Sequence, residues 1–190
     1  MKEQMGVVHG RFQLFHNDHL KYVLAAKERC VHMIIGICNP DMNLTTYSSA
    51  NPHRSSLREN PFTYFERYQM IKGTLLELGI SSKDFDIIPF PINYPNLIPN
   101  YAPMSAKYYM TIYDQWGREK EKTLRSIGCD IEIMWDIDIS KKGISGSDIR
   151  EMIRTGKNWK KYVPNYVYDY VNAHSLYKRI IEEDIEYKFL

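Results

Sequence analysis

Five short apolar runs, each followed by a turn and most by a stretch of helical spacing, constrain this chain more than any other feature. MGVVH (5–9) ends at Gly10 and feeds a helix over 19–28, where Leu20, Val23 and Leu24 recur at helical intervals. VHMIIGIC (31–38) is apolar almost throughout and β-branched, as a strand covered on both faces must be. FDIIPFPI (85–92), YYMTIYD (108–114) and IEIMWDI (131–137) complete the set. Between them, 60–79 reads as a helix opened by the Thr63/Glu66 capping box and closed by Gly79, and 116–128 as a charged helix closed by Gly128. Another helix starts within KKGISGSDIREMIRTG (141–156), and 158–190 is helical in pattern with Pro164 in a first turn. The alternation predicts an α/β fold: an open, doubly wound parallel sheet over 1–155, with a C-terminal helical extension over 156–190 packed on the same domain. Residues 39–60, rich in Asn, Ser, Pro and Thr, read as one long loop.

Composition narrows the function classes. The net charge of +2 arises from 25 basic and 23 acidic residues scattered without a stripe, so no nucleic-acid partner is indicated. The apolar runs are far too short to span a bilayer, so no membrane partner is indicated either. MKEQMGVVHG lacks the apolar stretch of a secretory signal, which points to the cytoplasm. The three cysteines, Cys30, Cys38 and Cys129, have no metal-ligand spacing and read as reduced core thiols. Oligomeric state is left open, a homo-oligomer included.

Two segments at strand ends carry chemistry. In HGRFQLFHNDHL (9–20), Gly10 allows close backbone approach, Arg11 follows it, and His16 and His19 share a face at a helix start, where anionic phosphate oxygens are favoured. Two histidines three apart can also ligate zinc, or be incidental polar residues; no further ligand at a recognisable spacing accompanies them, so no metal site is assigned. GISGSDIR (143–150) offers Ser145, Gly146 and Ser147 at a second helix start, with Arg150 one turn in. Ser145 is also an ordinary N-cap residue; the conjunction of two phosphate-suited helix starts on one sheet is what points to a nucleotide.

GRFQLFHNDH resembles the G-R-F-Q-P-F-H-x-G-H signature, and ISGSDIR the I-S-S/G-T-x-x-R signature, of the nucleotidyltransferase superfamily, whose fold is Rossmann-like. SLRENPFTYFER (56–67) and GKNWKKYVPNYV (156–167) extend the likeness, which is greatest to archaeal-type nicotinamide-mononucleotide adenylyltransferases. The resemblance implies a catalytic set of His16, His19 and Arg11, in which the histidines stabilise the α-phosphate and Arg11, like Arg58 and Arg150, grips the triphosphate. It implies that Gly10, Phe12, Gln13, Arg58, Ser145, Gly146, Ser147 and Arg150 hold the nucleotide and its phosphates. It implies transfer of a nucleoside monophosphate, AMP from ATP, to nicotinamide or nicotinate mononucleotide, with pyrophosphate leaving and Mg²⁺ bound mainly through the phosphates. Both partners are then small molecules, a nucleotide and a phosphorylated acceptor.

Departures from the family pattern fall both within the first signature and in the segments at the place of the acceptor. Asp18 replaces the signature glycine and Leu14 its proline. In PFPINYPNLIPNY (89–101), at the place of the acceptor loop, Asn93 replaces an aspartate and no tryptophan is present; IYDQWGREK (112–120) replaces an S-G-N-P segment. Asn93, Tyr94, Asn96 and Trp116 are the candidate acceptor residues, although Trp116 also suits the buried start of a helix. Two alternatives stay open: ATP or CTP coupled to a sugar, polyol or phosphonate acceptor, and a non-catalytic nucleotide sensor. His53 and Arg54 either close over phosphates or belong to a solvated loop.

Overall fold

The structure is a computed structural model, and it describes residues 1–41, 56–141 and 143–182. The sheet strands are β1 (Glu3–Gly10), β2 (Cys30–Cys38), β3 (Phe85–Phe90), β4 (Lys107–Ile112) and β5 (Asp130–Asp136). The helices are α1 (Asn17–Lys27), α2 (Tyr64–Glu77), α3 (Gln115–Ser126), α4 (Gly146–Arg154), α5 (Asn165–Ala173) and α6 (Lys178–Ile181). All four strand pairings are parallel, in the order β3-β2-β1-β4-β5, so the α/β architecture expected from the alternating pattern is present.

The unbroken apolar runs have a direct physical reason. Successive strand side chains enter opposite layers: Val7 joins a core with Ile34, Ile98, Tyr108 and Leu124, while Val8 joins another with Ile35, Met70, Ile149 and Val167. The second layer carries α1, α2, α4 and α5, and the first carries α3 and the segment after β3. Trp159 is buried against Tyr168 at 4.7 Å, and Val163, Val167 and Val171 carry the C-terminal helices into the same core.

Local signals set most boundaries. Thr63 caps α2 through its hydroxyl, which accepts from Glu66 N at 3.2 Å, while Glu66 Oε2 accepts from Thr63 N at 2.9 Å. β3 stops at Phe90, before 92, because the chain turns as Ile92 N donates to Phe90 O at 2.9 Å. β4 stops at Ile112, before 114, because Asp114 is taken as the N-cap of α3, accepting from Gly117 N at 2.8 Å. Pro164 is the N-cap of α5 and lies one position outside its first turn. The segment expected to be irregular after β3 contains a 3₁₀ turn over Pro95–Asn100. His53 and Arg54 lie outside the described residues.

The sheet order places a reversal between β1 and β4: the chain winds out through β2 and β3, then returns to β4 and β5. β1 pairs seven residues with β2 but only Gly6 and Val7 with β4. Beyond Val7 the two strands no longer pair, and a crevice opens at their carboxyl ends, the standard ligand position in such sheets.

Candidate active site

A cavity of about 590 Å³ occupies this crevice. One side is formed by the turn after β1 and the first residues of α1 and α4; the other is formed by Asn39, Asn93 and the start of α3. Arg11, His16, His19, Gly10, Phe12 and Gln13 from the first segment line it together with Ser145, Gly146, Ser147 and Arg150 from the second.

His16 is the N-cap of α1, an uncommon use of histidine. Its Nδ1 accepts from His19 N at 3.4 Å, and His19 Nδ1 accepts from His16 N at 3.5 Å. The rings stack at 3.6 Å, and Phe12 braces His19 edge-on at 5.0 Å. An imidazole whose Nδ1 accepts a hydrogen bond carries its proton on Nε2 when neutral. The reciprocal cap therefore selects two Nε2–H donors at the positive end of a helix.

The two helix starts meet because Gly146 permits it. A Cβ there would stand 2.6 Å from Gln13 O, a backbone atom that cannot yield. Ser145 caps α4 through Asp148, with Ser145 N donating to Asp148 Oδ2 at 2.8 Å and Asp148 N to Ser145 Oγ at 3.2 Å. Asp18, the departure from the signature glycine, has its carboxylate directly against Gly143 and in the cavity wall.

Arg150 and Gln13, both in the cavity wall, are also hydrogen-bonded within the protein. The Arg150 guanidinium is 1% exposed; it donates to Gln13 O and Glu59 Oε2, and to Ser147 Oγ at 2.9 Å. Burial lowers its pKa from the usual range, a tendency opposed by the Glu59 carboxylate. The Gln13 amide is paired with the Phe62 backbone: Nε2 donates to Phe62 O and Oε1 accepts from Phe62 N, both at 2.9 Å. Arg58 is exposed on a 3₁₀ turn (Leu57–Glu59) and does not line the cavity. Tyr94 and Asn96 are likewise exposed and outside it, carried away by the 3₁₀ turn, whereas Asn93 and Trp116 line it. Asn93 Nδ2 donates to Asn39 Oδ1 at 3.2 Å, and Lys120 Nζ lies 3.8 Å from the Trp116 ring centroid.

Several site residues escaped the sequence reading. Glu59 and Lys120 had no signature. His9 and Thr111 looked like strand residues. Arg67, 1% exposed, donates to the carbonyls of Arg11, Cys38 and Asn39 at 2.8 Å each and so joins the turns after β1 and β2. Its place at the end of SLRENPFTYFER, the segment that extends the family likeness, was the available signal. The three cysteines are buried free thiols, as expected; burial pushes Cys38, in the cavity wall, up to about 11.

Among the described residues no three His, Cys, Asp or Glu are grouped to hold a metal ion. A magnesium ion bound by substrate phosphates and water needs no such group, and Asp18 is a carboxylate on hand. Among the described residues no helix is long and apolar enough to cross a membrane.

A parallel sheet with two capped helix starts converging on a crevice at its switch point is a Rossmann-like fold with a site suited to a phosphorylated ligand such as a nucleotide. Residues 7–152 match the model of the cytidylyltransferase-like family, and the chain belongs to that family. It is 40% identical over 175 residues to phosphonoformate cytidylyltransferase of Streptomyces viridochromogenes, covering 92% of this chain and 94% of that one. It is 28% identical over 167 residues to nicotinamide-nucleotide adenylyltransferase of Saccharolobus solfataricus, covering 87% and 88%. Its fold is that of a bifunctional NMN adenylyltransferase/ADP ribose pyrophosphatase from Francisella tularensis (TM-score 0.64, 16% identity), of which it spans 52% while 94% of this chain is covered.

Proposed function

We propose that the protein transfers CMP from CTP to a small phosphonate acid, releasing pyrophosphate. The observation that carries this reading is the 40% identity to a phosphonoformate cytidylyltransferase across nearly the whole chain, against 28% for an archaeal adenylyltransferase. It replaces the AMP transfer to a pyridine mononucleotide that the signatures suggested. On the acceptor side of the crevice position 93 is a neutral amide bonded to Asn39, and the one carboxylate on that side among the described residues, Asp114, accepts from Gly117 N as the cap of α3, an arrangement compatible with an acidic acceptor.

A phosphonate oxygen of the acceptor bonds to the α-phosphorus of CTP as the bond from that phosphorus to the bridging oxygen breaks, and the electron pair leaves with pyrophosphate. The Nε2–H groups of His16 and His19 donate to the α-phosphate oxygens as charge builds on them, and Arg11 neutralises the triphosphate. The first backbone N–H groups of α1 and α4 orient the phosphate chain, while Arg150 positions Ser147 and the Gln13 carbonyl. Magnesium, when bound with the nucleotide, screens the charge of the leaving pyrophosphate.

The test is pyrophosphate release with CTP, ATP, GTP and UTP crossed with phosphonoformate, nicotinamide mononucleotide and a panel of sugar and polyol phosphates. Release with CTP and a compact phosphonate is expected. Release only with ATP and a pyridine mononucleotide would return the protein to dinucleotide synthesis. Nucleotide binding without turnover by any pair would make it a sensor.

A further inference from the structure

Among the described residues, three that line the cavity have a buried side-chain atom with no hydrogen-bond partner: Arg150, which belongs to the phosphate side, and two that do not, His9 and Thr111. His9, immediately before Gly10, is 7% exposed, stacks on Phe90 at 4.8 Å with 16° between the planes, and lines the cavity. Its Nδ1 is buried with no hydrogen-bond partner in the protein. Across the switch point, Thr111 on β4 lines the same cavity with a buried, unpartnered hydroxyl. Buried polar atoms without partners are rare in folded proteins because each forfeits its hydration. Two of them on the two strands that border one crevice point to a ligand that completes them.

The surroundings select the ligand chemistry. Lys120 lies close enough to His9 to oppose its protonation, and burial opposes it more, so the ring is neutral and can offer Nδ1–H without adding a charge. The stack on Phe90 sets His9 against the end of β3, the strand that leads into Ile92 and Asn93 of the cavity wall. A donor in that position, beside an ammonium and a hydroxyl, suits an oxyanion.

Resting on the function proposed above, we propose that His9 Nδ1 and Thr111 Oγ1 are the donors that read the acceptor's second acidic group. The preferred acceptor is then a compact bifunctional acid, carrying a carboxylate or similar oxyanion besides the phosphonate that reacts.

Steady-state kinetics with CTP and phosphonoformate test this in the wild type, His9→Phe, His9→Asn and Thr111→Val. Phenylalanine keeps the stacking surface and removes the donor; asparagine places an amide N–H near the position of Nδ1. The KM for phosphonoformate is expected to rise about tenfold or more in His9→Phe and in Thr111→Val, with the KM for CTP within about twofold, and to recover in part in His9→Asn. An unchanged phosphonoformate KM in His9→Phe overturns the His9 assignment and leaves the proposed function standing. A wild type that does not turn over phosphonoformate with CTP overturns the proposed function, and the acidic-group seat with it. Equal rises in both KM values in His9→Phe and His9→Asn would mark a packing role and also overturn the assignment.

Discussion

His16 and His19 cap one another: each ring nitrogen Nδ1 accepts the other residue's backbone N–H, and the rings stack 3.6 Å apart. One interaction thus stabilises the start of α1 and sets both rings to the tautomer that donates through Nε2.

The two roles are separable by substitution. His16→Asn keeps an N-cap side chain and removes the catalytic donor, so stability should stay within about 0.5 kcal/mol while turnover falls about a hundredfold or more. His16→Ala should lose about 1 kcal/mol as well. Denaturant melts alongside pyrophosphate release read the two effects, and a His16→Asn enzyme of near-wild-type rate would remove the residue from the chemistry.

Arg150 is held by Glu59, whose side chain is 21% exposed against 1% for the arginine. Removing the carboxylate strands a buried guanidinium, so Glu59→Ala should cost about 3 kcal/mol, close to the loss from Arg150→Ala. In the double variant the costs should not add. Additive losses in urea unfolding would show that the pair is energetically independent.

Arg67 satisfies three loop carbonyls with one planar fork, which an ammonium cannot match. Arg67→Lys should destabilise by about 2 kcal/mol and raise the KM for nucleotide, because the Arg11 and Asn39 backbones are no longer joined. A melting temperature unchanged from wild type would contradict this.

His9 should leave a signature in the acid limb of stability. Burial, assisted by Lys120, lowers its pKa to about 3. Below the ordinary histidine value of about 6.5 the unfolded chain takes up a proton that the native state refuses, so stability falls with pH from there towards about 3. Between pH 6.5 and 5 the contribution is about 1.5 kcal/mol, and His9→Phe should lose that part of the slope. Parallel pH profiles for the two proteins would show the ring to be protonated in the fold.

Much of the architecture was legible in the order of residues. Strands and helices follow from the period of apolar positions, which neighbours within a few residues establish, and the Thr63 and Ser145 caps follow from side chains that reach three residues along the chain. The two signatures likewise marked the two helix starts that line the cavity. Their helical character was readable at each position because the donors and dipole of a helix start are local.

What those side chains do depended on contacts between distant parts of the chain. Arg150 reaches Glu59 across 91 residues and Gln13 across 137, and Gln13 turns to Phe62 across 49, so residues that read as ligand contacts are engaged within the protein. Tyr94 and Asn96 were carried out of the site by a turn, and His9, an unremarkable strand residue in the sequence, became a buried donor without a partner. Spacing along a chain encodes secondary structure and its caps; which polar groups satisfy one another, and which are left for a ligand, is decided only when the sheet brings remote segments together.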